Sequence, residues 1–300
     1  MHMCGVRGST SAPGVEFVRY GGHTSCVALA HDPPASGGGT GDGNAAQRAS
    51  AASPPTLMLD AGTGLQAASH LLGGEPYDGT ILLSHLHWDH TLGLPFFAAG
   101  DNVNARVSVL VPEQPGGEDG TRLLAGVMRP PYFPIEPTQL RGRWSFATIT
   151  PGELEIEGFE VTAREIPHKG GRTFGYRIGD GHATLAYLPD HCPTALGGGE
   201  DGWGEYHPAA IELVKDADVL VHDAAMFPEE LAAEASFGHA VADYAVELGR
   251  RAGVREVVLF HHRHDRTDEA LDGLARRLGT DGSDDSPRVS VATEGTVIEL

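Results

Sequence analysis

Seven consecutive residues, Ser84-His85-Leu86-His87-Trp88-Asp89-His90, concentrate metal-binding chemistry in one short stretch. The apolar segment Thr80-Ile81-Leu82-Leu83 runs into them and reads as a buried strand. At an extended strand end, side chains two apart share a face, so His85 and His87 can hold one metal ion together. The chain is then predicted to turn, with Asp89 and His90 opening a helix through Thr91-Leu92-Gly93-Leu94 and aimed at a second ion. Three imidazoles and a carboxylate suit a borderline or hard cation, and the lack of thiolates argues against a cysteine-based structural site. A His-rich surface turn would not be entered from an apolar strand.

A complete site needs further donors, and other strand ends supply them. Ile166-Pro167-His168, Leu188-Pro189-Asp190-His191 and Leu259-Phe260-His261-His262 each close an apolar run. Strand ends are where a sheet scaffold presents functional groups, so His168, Asp190 and His261 are candidates. His191 and His262 read better as ordinary polar residues, and the choice between His261 and His262 stays open at this point.

The elements that must carry these groups alternate strand and helix. Strands are predicted at Thr56–Leu59, Thr80–Leu83, Val107–Val111, Trp144–Thr150, Leu154–Ile156, Phe159–Ile166, Phe174–Ile178, Thr184–Leu188, Val219–Val221 and Val257–Phe260. Strands Val289–Ala292 and Thr296–Leu300 close the chain. Helices are predicted from the Asp60–Gly64 turn to Leu72, over Val241–Ala252 and over Asp268–Leu278, while Pro112–Arg143 reads as irregular. Mixed strands with interspersed helices point to the α/β class, two sheets between helical layers, in one domain over 1–300. The stretch His31–Pro55, rich in Gly, Ala, Ser and Pro, reads as a flexible insertion between strands.

The chain has 300 residues, with 21 Lys+Arg against 41 Asp+Glu and a formal net charge of −20. Its 40% hydrophobic content is that of a folded protein. Such acidity excludes unspecific affinity for nucleic acid or anionic membrane as the main purpose. Three cysteines without a close pair (Cys4, Cys26, Cys192) read as reduced thiols. No signal-peptide pattern and no apolar run of about 20 residues is evident, so a cytoplasmic protein with no membrane partner is expected.

H-x-H-x-D-H after an apolar strand, preceded by Asp60-Ala61-Gly62-Thr63-Gly64, resembles the metallo-β-lactamase fold hydrolases over nearly the whole chain, His31–Pro55 excepted. The resemblance implies a four-layer αββα sandwich with a dinuclear site at one edge. It assigns His85, His87 and His168 to a first metal, Asp89, His90 and His261 to a second, and Asp190 to both. Asp60 would hydrogen-bond the ligand loop from behind. Two divalent ions are implied, zinc or manganese, between which such donors do not choose.

Two later motifs, Leu220-Val221-His222-Asp223-Ala224-Ala225 and Gly238-His239-Ala240, are similar to the tRNase Z-like phosphodiesterase branch. There His239 would be proton donor or phosphate contact, with Asp223 orienting it. The chain departs from that pattern at Ala240, where a hydroxyl residue would stand. It departs again at Lys169 after His168, in place of proline, and at Arg263 after the histidine pair, in place of an acid.

The expected reaction is therefore phosphodiester hydrolysis by metal-bound hydroxide, with Asp89, His239 and Asp223 catalytic. Local charge favours an anionic substrate. Arg122, Arg129, Arg141 and Arg143 stand against Glu136, and Arg164, Lys169, Arg172 and Arg177 against Glu165, whereas Glu200–Glu234 carries ten acids and only Lys215. Lys169 and Arg172, which follow His168, are the expected substrate contacts. Tyr132 and Phe133, flanked by prolines, are expected to stack on a base. A small nucleotide-like or cyclic phosphodiester fits this better than tRNA or other long nucleic acid, and a homodimer is compatible with it. The alternatives are a lactone or thioester hydrolase, or an iron-dependent oxidoreductase, on the same fold. A non-catalytic metal-binding module is a further alternative, which the complete seven-ligand set disfavours.

Overall fold

Period-two alternation along the buried strands sorts their side chains onto opposite faces, and those faces define the layers. The computed structural model describes residues 1–31, 53–283 and 286–300, so most of the expected His31–Pro55 insertion lies outside the described residues. In the first sheet the order is β1 (His2–Gly5), β3 (Cys26–Leu29), β4 (Leu57–Leu59), β5 (Asp78–Leu82), β6 (Arg106–Pro112), β7 (Arg143–Ile149). Its β4, β5, β6 and β7 run parallel, and β1, β3 and β4 pair antiparallel. β2 (Arg7–Gly8) leaves this sheet to pair in parallel with β14 (His262–Arg263).

The second sheet continues from β8 (Gly152–Ile156) through β9 (Phe159–Ile166), β10 (Thr173–Gly179), β11 (Thr184–Leu188), β12 (Val219–Asp223) and β13 (Glu256–Phe260). β16 (Ser286–Val291) and β15 (Thr280–Ser283) complete it beyond β13. β11, β12, β13 and β16 are mutually parallel neighbours. The rest is antiparallel.

Leu57, Leu59 and Leu82 of the first sheet meet Tyr176, Tyr187, Val221, Val258 and Phe260 of the second in one core. The intervening residues face away. Met58 and Ile81 pack under helix α1 (Gly64–Leu71) and near α2 (Gly120–Ala125). Ala186, Leu220, Val257 and Leu259 pack under α3 (Pro208–Val214), α5 (Ala242–Ala252) and α6 (Asp268–Leu278), with the one-turn α4 (Leu231–Glu234) before α5. This is the expected α/β, αββα arrangement.

Local expectations needed correction in several places. Asp89 and His90 do not open an α-helix. Trp88–His90 and Leu94–Phe96 are separate 3₁₀ turns, because Pro95 cannot donate its backbone N–H and Gly93 abuts the Gly62 carbonyl too closely for any side chain. Pro112–Arg143 is not wholly irregular and contains α2, capped by Asp119, whose side chain accepts from the Arg122 N–H. The expected Thr296–Leu300 strand is reduced to a single bridge between His2 and Val297. Short α3 was not anticipated; Pro208 starts it.

Candidate metal centre

The site gathers at the C-terminal ends of β5, β11, β12 and β13, where the parallel strands stop and the chain turns away. Asp190, two residues past β11, is the hub and is 1% exposed. Its Oδ2 lies 3.7 Å from His85 Nε2 and 3.4 Å from His168 Nε2. Its Oδ1 lies 3.0 Å from His90 Nε2 and 3.1 Å from His261 Nε2. Asp89 Oδ2 stands 3.1 Å from His261 Nε2 and 3.4 Å from His90 Nε2. His87 Nδ1 is 3.3 Å from His168 Nε2.

Donor atoms of His85, His87, His168 and Asp190 thus form one cluster, and those of Asp89, His90, Asp190 and His261 a second. The first-sheet loop and both second-sheet strand ends supply each cluster, which is why the sandwich edge is needed. All seven sequence candidates are brought together.

Tautomers are fixed from behind. His90 Nδ1 donates to Asp60 Oδ2 at 2.7 Å, which turns Nε2 toward the cluster. Asp60, itself in the left-handed region at φ 59°, also accepts from the Ser84 N–H, the Ser84 hydroxyl and the Tyr187 hydroxyl. His168 Nδ1 donates to the Gly238 carbonyl at 2.7 Å, again leaving Nε2 inward.

Burial holds His85 well below the ordinary histidine range, and desolvation likewise lowers His87 and His168, so these rings are neutral donors. Desolvation also disfavours charge on Asp190, yet His261 and His90 hold its carboxyl well below the usual range. Asp89 is likewise low, with desolvation outweighed by His90 and His261.

The fit to a divalent metal is tested by atoms the protein leaves over. His85 Nε2, His90 Nε2 and Asp190 Oδ1 are buried without a hydrogen-bond partner, and all three face the cluster interior. Such orphaned acceptors are costly unless something binds them. Imidazole nitrogens and carboxylate oxygens, four to a cluster with one carboxylate shared, are the donor chemistry of a divalent pair.

His261, not His262, turns toward the site. It sits in the left-handed region at φ 57°, and Gly8 of β2 lies so close that a Cβ there would stand 2.3 Å from its ring. His262 points away and donates from Nε2 to the Ala292 carbonyl, its pKa lowered by burial to about 3. His191 is likewise engaged elsewhere, with His222 at 3.0 Å.

His239 stands beside the clusters, its ring 5.2 Å from that of His168 and 4.9 Å from that of His261. It precedes α5 by three residues, on the left-handed Gly238, and does not itself begin the helix. Nδ1 donates to Asp223 Oδ2 at 2.9 Å. Asp223, fully buried, is fixed by the backbone N–H groups of His191 and Ala225. Desolvation pushes His239 down, but Asp223, Asp190 and Asp89 raise it to about 9, so it carries a proton at neutral pH.

Other expected contacts are placed differently. Arg172 is bound to Glu165 at 2.9 Å and Glu113 at 3.4 Å and lies over the Phe174 ring. Lys169 donates to the Ser236 carbonyl. Neither lines the cavity of about 580 Å³ over the metal clusters. Tyr132 and Phe133 line a neighbouring groove.

Residues not expected at the site also line that cavity, among them Ser9, Phe237 and His264, and so does Arg263, which the sequence marked only as a departure from the family pattern. The Ser9 N–H donates to Asp89 Oδ2 at 2.6 Å. Arg263 is balanced by Glu234 and Asp265. Its place directly after His261-His262 was the one available signal.

Residues 56–262 match the family model described as the beta-lactamase superfamily domain. A ribonuclease Z from Gemmatimonas aurantiaca is 24% identical, with 82% of this chain and 87% of that protein aligned. Among solved structures, the metallo-beta-lactamase fold protein YhfI from Bacillus subtilis superposes with a TM-score of 0.62 at 18% identity, covering 98% of this chain and 96% of that one. Human tRNase Z, short form, does so with a TM-score of 0.57 at 18% identity, covering 99% and 98%. Matched over two-thirds of its length and carrying both histidine-aspartate clusters at the sandwich edge, the chain belongs to the beta-lactamase superfamily domain family, as a metal-dependent hydrolase.

Proposed function

We propose that the protein is a dinuclear metal phosphodiesterase acting on a small anionic diester. The observation that carries this is the pair of donor clusters joined by Asp190, next to a histidine whose Nδ1 is bonded to the buried Asp223 carboxylate. Two divalent ions, zinc or manganese, would supply a water of lowered pKa and a clamp on the phosphoryl oxygens. His85, His87 and His168 would hold one, Asp89, His90 and His261 the other, and Asp190 both.

The protein's own groups do the rest. Asp223 accepts from His239 Nδ1, which leaves His239 Nε2 to carry the proton that the leaving oxygen takes up. The Ser9 N–H donates to Asp89 Oδ2, the oxygen that also faces His90 and His261, and so fixes that carboxylate in the cluster.

A small substrate is supported by the cavity wall, where the cation Arg263 is already engaged by acids, and Glu234 itself lines the cavity. The ribonuclease reading, favoured by the relatives of that name, requires cleavage of an RNA. Among the described residues no helix is long and apolar enough to cross a membrane. Three buried free thiols support a reducing, cytoplasmic setting. The test is turnover of bis(p-nitrophenyl) phosphate beside a structured RNA. Metal-dependent release of p-nitrophenol, abolished by chelation and by His87→Ala, is expected. Activity surviving both treatments, or cleavage of the RNA alone, overturns the reading.

A further inference from the structure

Beside the metal cavity lies a second groove, of about 700 Å³, and Trp88 forms a wall of both. Its other walls come from the 3₁₀ turns after His90 (Leu92, Phe96) and from the segment after α2 (Met128, Tyr132, Phe133). Trp88 is 64% exposed, Phe96 54% and Tyr132 75%, unusual exposure for aromatic side chains gathered in one place. Phe96 and Phe133 meet edge to face at 5.9 Å.

Polar groups are scarce in it. Thr91 is buried, with its hydroxyl donated to the His87 carbonyl, and Arg129 is the one charged side chain among the described lining residues. Asn, Gln, Asp and Glu are absent from that lining, and beside Arg129 and the Tyr132 hydroxyl its surface is apolar. A surface this poor in polar groups favours an apolar ring or chain over a base, most of whose polar edge would go unpaired.

Position decides which end of the substrate this is. None of the groove comes from residues 223–241, which carry Asp223 and His239. The leaving oxygen must face His239, so the group across Trp88 is the ester group that stays on phosphorus. Resting on the phosphodiesterase reading, we infer that the substrate is a phosphodiester whose retained ester group is aryl or alkyl, seated between Trp88, Phe96 and Tyr132. The sequence-based expectation that Tyr132 and Phe133 stack on a base is thereby narrowed to a ring without base-edge recognition.

The test holds the chemistry constant and varies the retained group. The metal-loaded enzyme is assayed on p-nitrophenyl methyl, p-nitrophenyl butyl and p-nitrophenyl phenyl phosphates, all releasing p-nitrophenol, and on the p-nitrophenyl ester of thymidine 5′-phosphate. From the methyl to the phenyl ester, kcat/KM is expected to rise at least tenfold. In Phe96→Ala that ratio is expected to shrink at least threefold. In a separate binding measurement, diphenyl phosphate is expected to quench tryptophan fluorescence in the wild type and much less in Trp88→Phe. A ratio near one, a ratio unchanged in Phe96→Ala, or a thymidine ester preferred over the phenyl ester overturns the inference and leaves the phosphodiesterase reading standing. Absence of metal-dependent turnover of every ester overturns both.

Discussion

His239 shows how the residue scale decides chemistry. Its burial alone would make it a neutral ring, but the Asp223 carboxylate at 2.9 Å outweighs desolvation, and the raised pKa of about 9 keeps the proton on it. A group with a raised pKa is protonated below that value and loses its proton as pH rises through it. A general acid needs that proton, so kcat is expected to fall on the alkaline side. Ions on Asp190 and Asp89 take up their negative charge, which places this limb at or below about 9. Asp223→Asn removes the principal raising charge and is expected to move the limb to lower pH, read directly from a pH–kcat profile. His239→Ala is expected to lower kcat by about 10²–10⁴-fold while leaving metal content intact. An unmoved limb in Asp223→Asn would show that the pair has a structural role only. The residues of the two donor clusters were legible in sequence because four of them fall within six positions and the others end apolar strands. Ser9 was not, because it reaches Asp89 from 80 residues away along the chain, and Arg263 was marked only as a departure from the family pattern. Arg172 lies off the cavity because Glu165 across the β9–β10 hairpin and Glu113, 59 residues away, take its guanidinium.

At the scale of elements, the centre depends on backbone approaches that side-chain patterns do not announce. Asp60 accepts hydrogen bonds from Ser84, His90 and Tyr187, tying the β4 end to the β5 end and to β11 across the sandwich. Removing a buried carboxylate leaves these donors unpaired, so Asp60→Ala is expected to cost about 3 kcal/mol in urea denaturation. It is also expected to weaken metal binding about 10–100-fold by titration calorimetry. Wild-type metal affinity in that variant would contradict the bracing role. Gly8 is held against His261 by the pairing of β2 with β14, and buried Arg7 fastens that pair through the Gly21 and Arg266 carbonyls. A Cβ at position 8 strikes the imidazole, so Gly8→Val is expected to lose metal at the Asp89–His90–His261 cluster. Thermal unfolding would show a largely retained fold, and loss of both ions together would overturn that cluster-specific effect. The strands were legible from their alternation. The 3₁₀ turns after His87 were not, because Gly93 and Pro95 act through contacts with Gly62 and through a missing N–H, not through periodicity.

Across the whole molecule, the net charge of −20 does not divide as segment sums suggest. Several cations of the basic stretches are neutralised by acids from elsewhere, with Arg141 on Asp101, Arg164 on Glu153 and Glu212, and Arg172 on Glu113 as well as on Glu165 of its own stretch. The acidic Glu200–Glu234 segment in turn sends Glu234 to the cavity wall. Attraction for an anionic substrate therefore has to come from the centre itself, where seven donors surround space for two divalent charges. The architecture was legible because alternating strands and intervening helices leave few ways to pack. The charge field was not, because it depends on which surfaces the fold brings together. The most direct test is elemental analysis of the purified chain and of Asp190→Asn, read alongside turnover of bis(p-nitrophenyl) phosphate. Two divalent ions per chain are expected in the wild type, with fewer than two and no turnover in Asp190→Asn despite an unchanged circular dichroism spectrum. A wild-type chain that binds one ion or none while still cleaving the diester, or an Asp190→Asn variant that keeps both ions and its activity, would contradict a dinuclear centre built on Asp190.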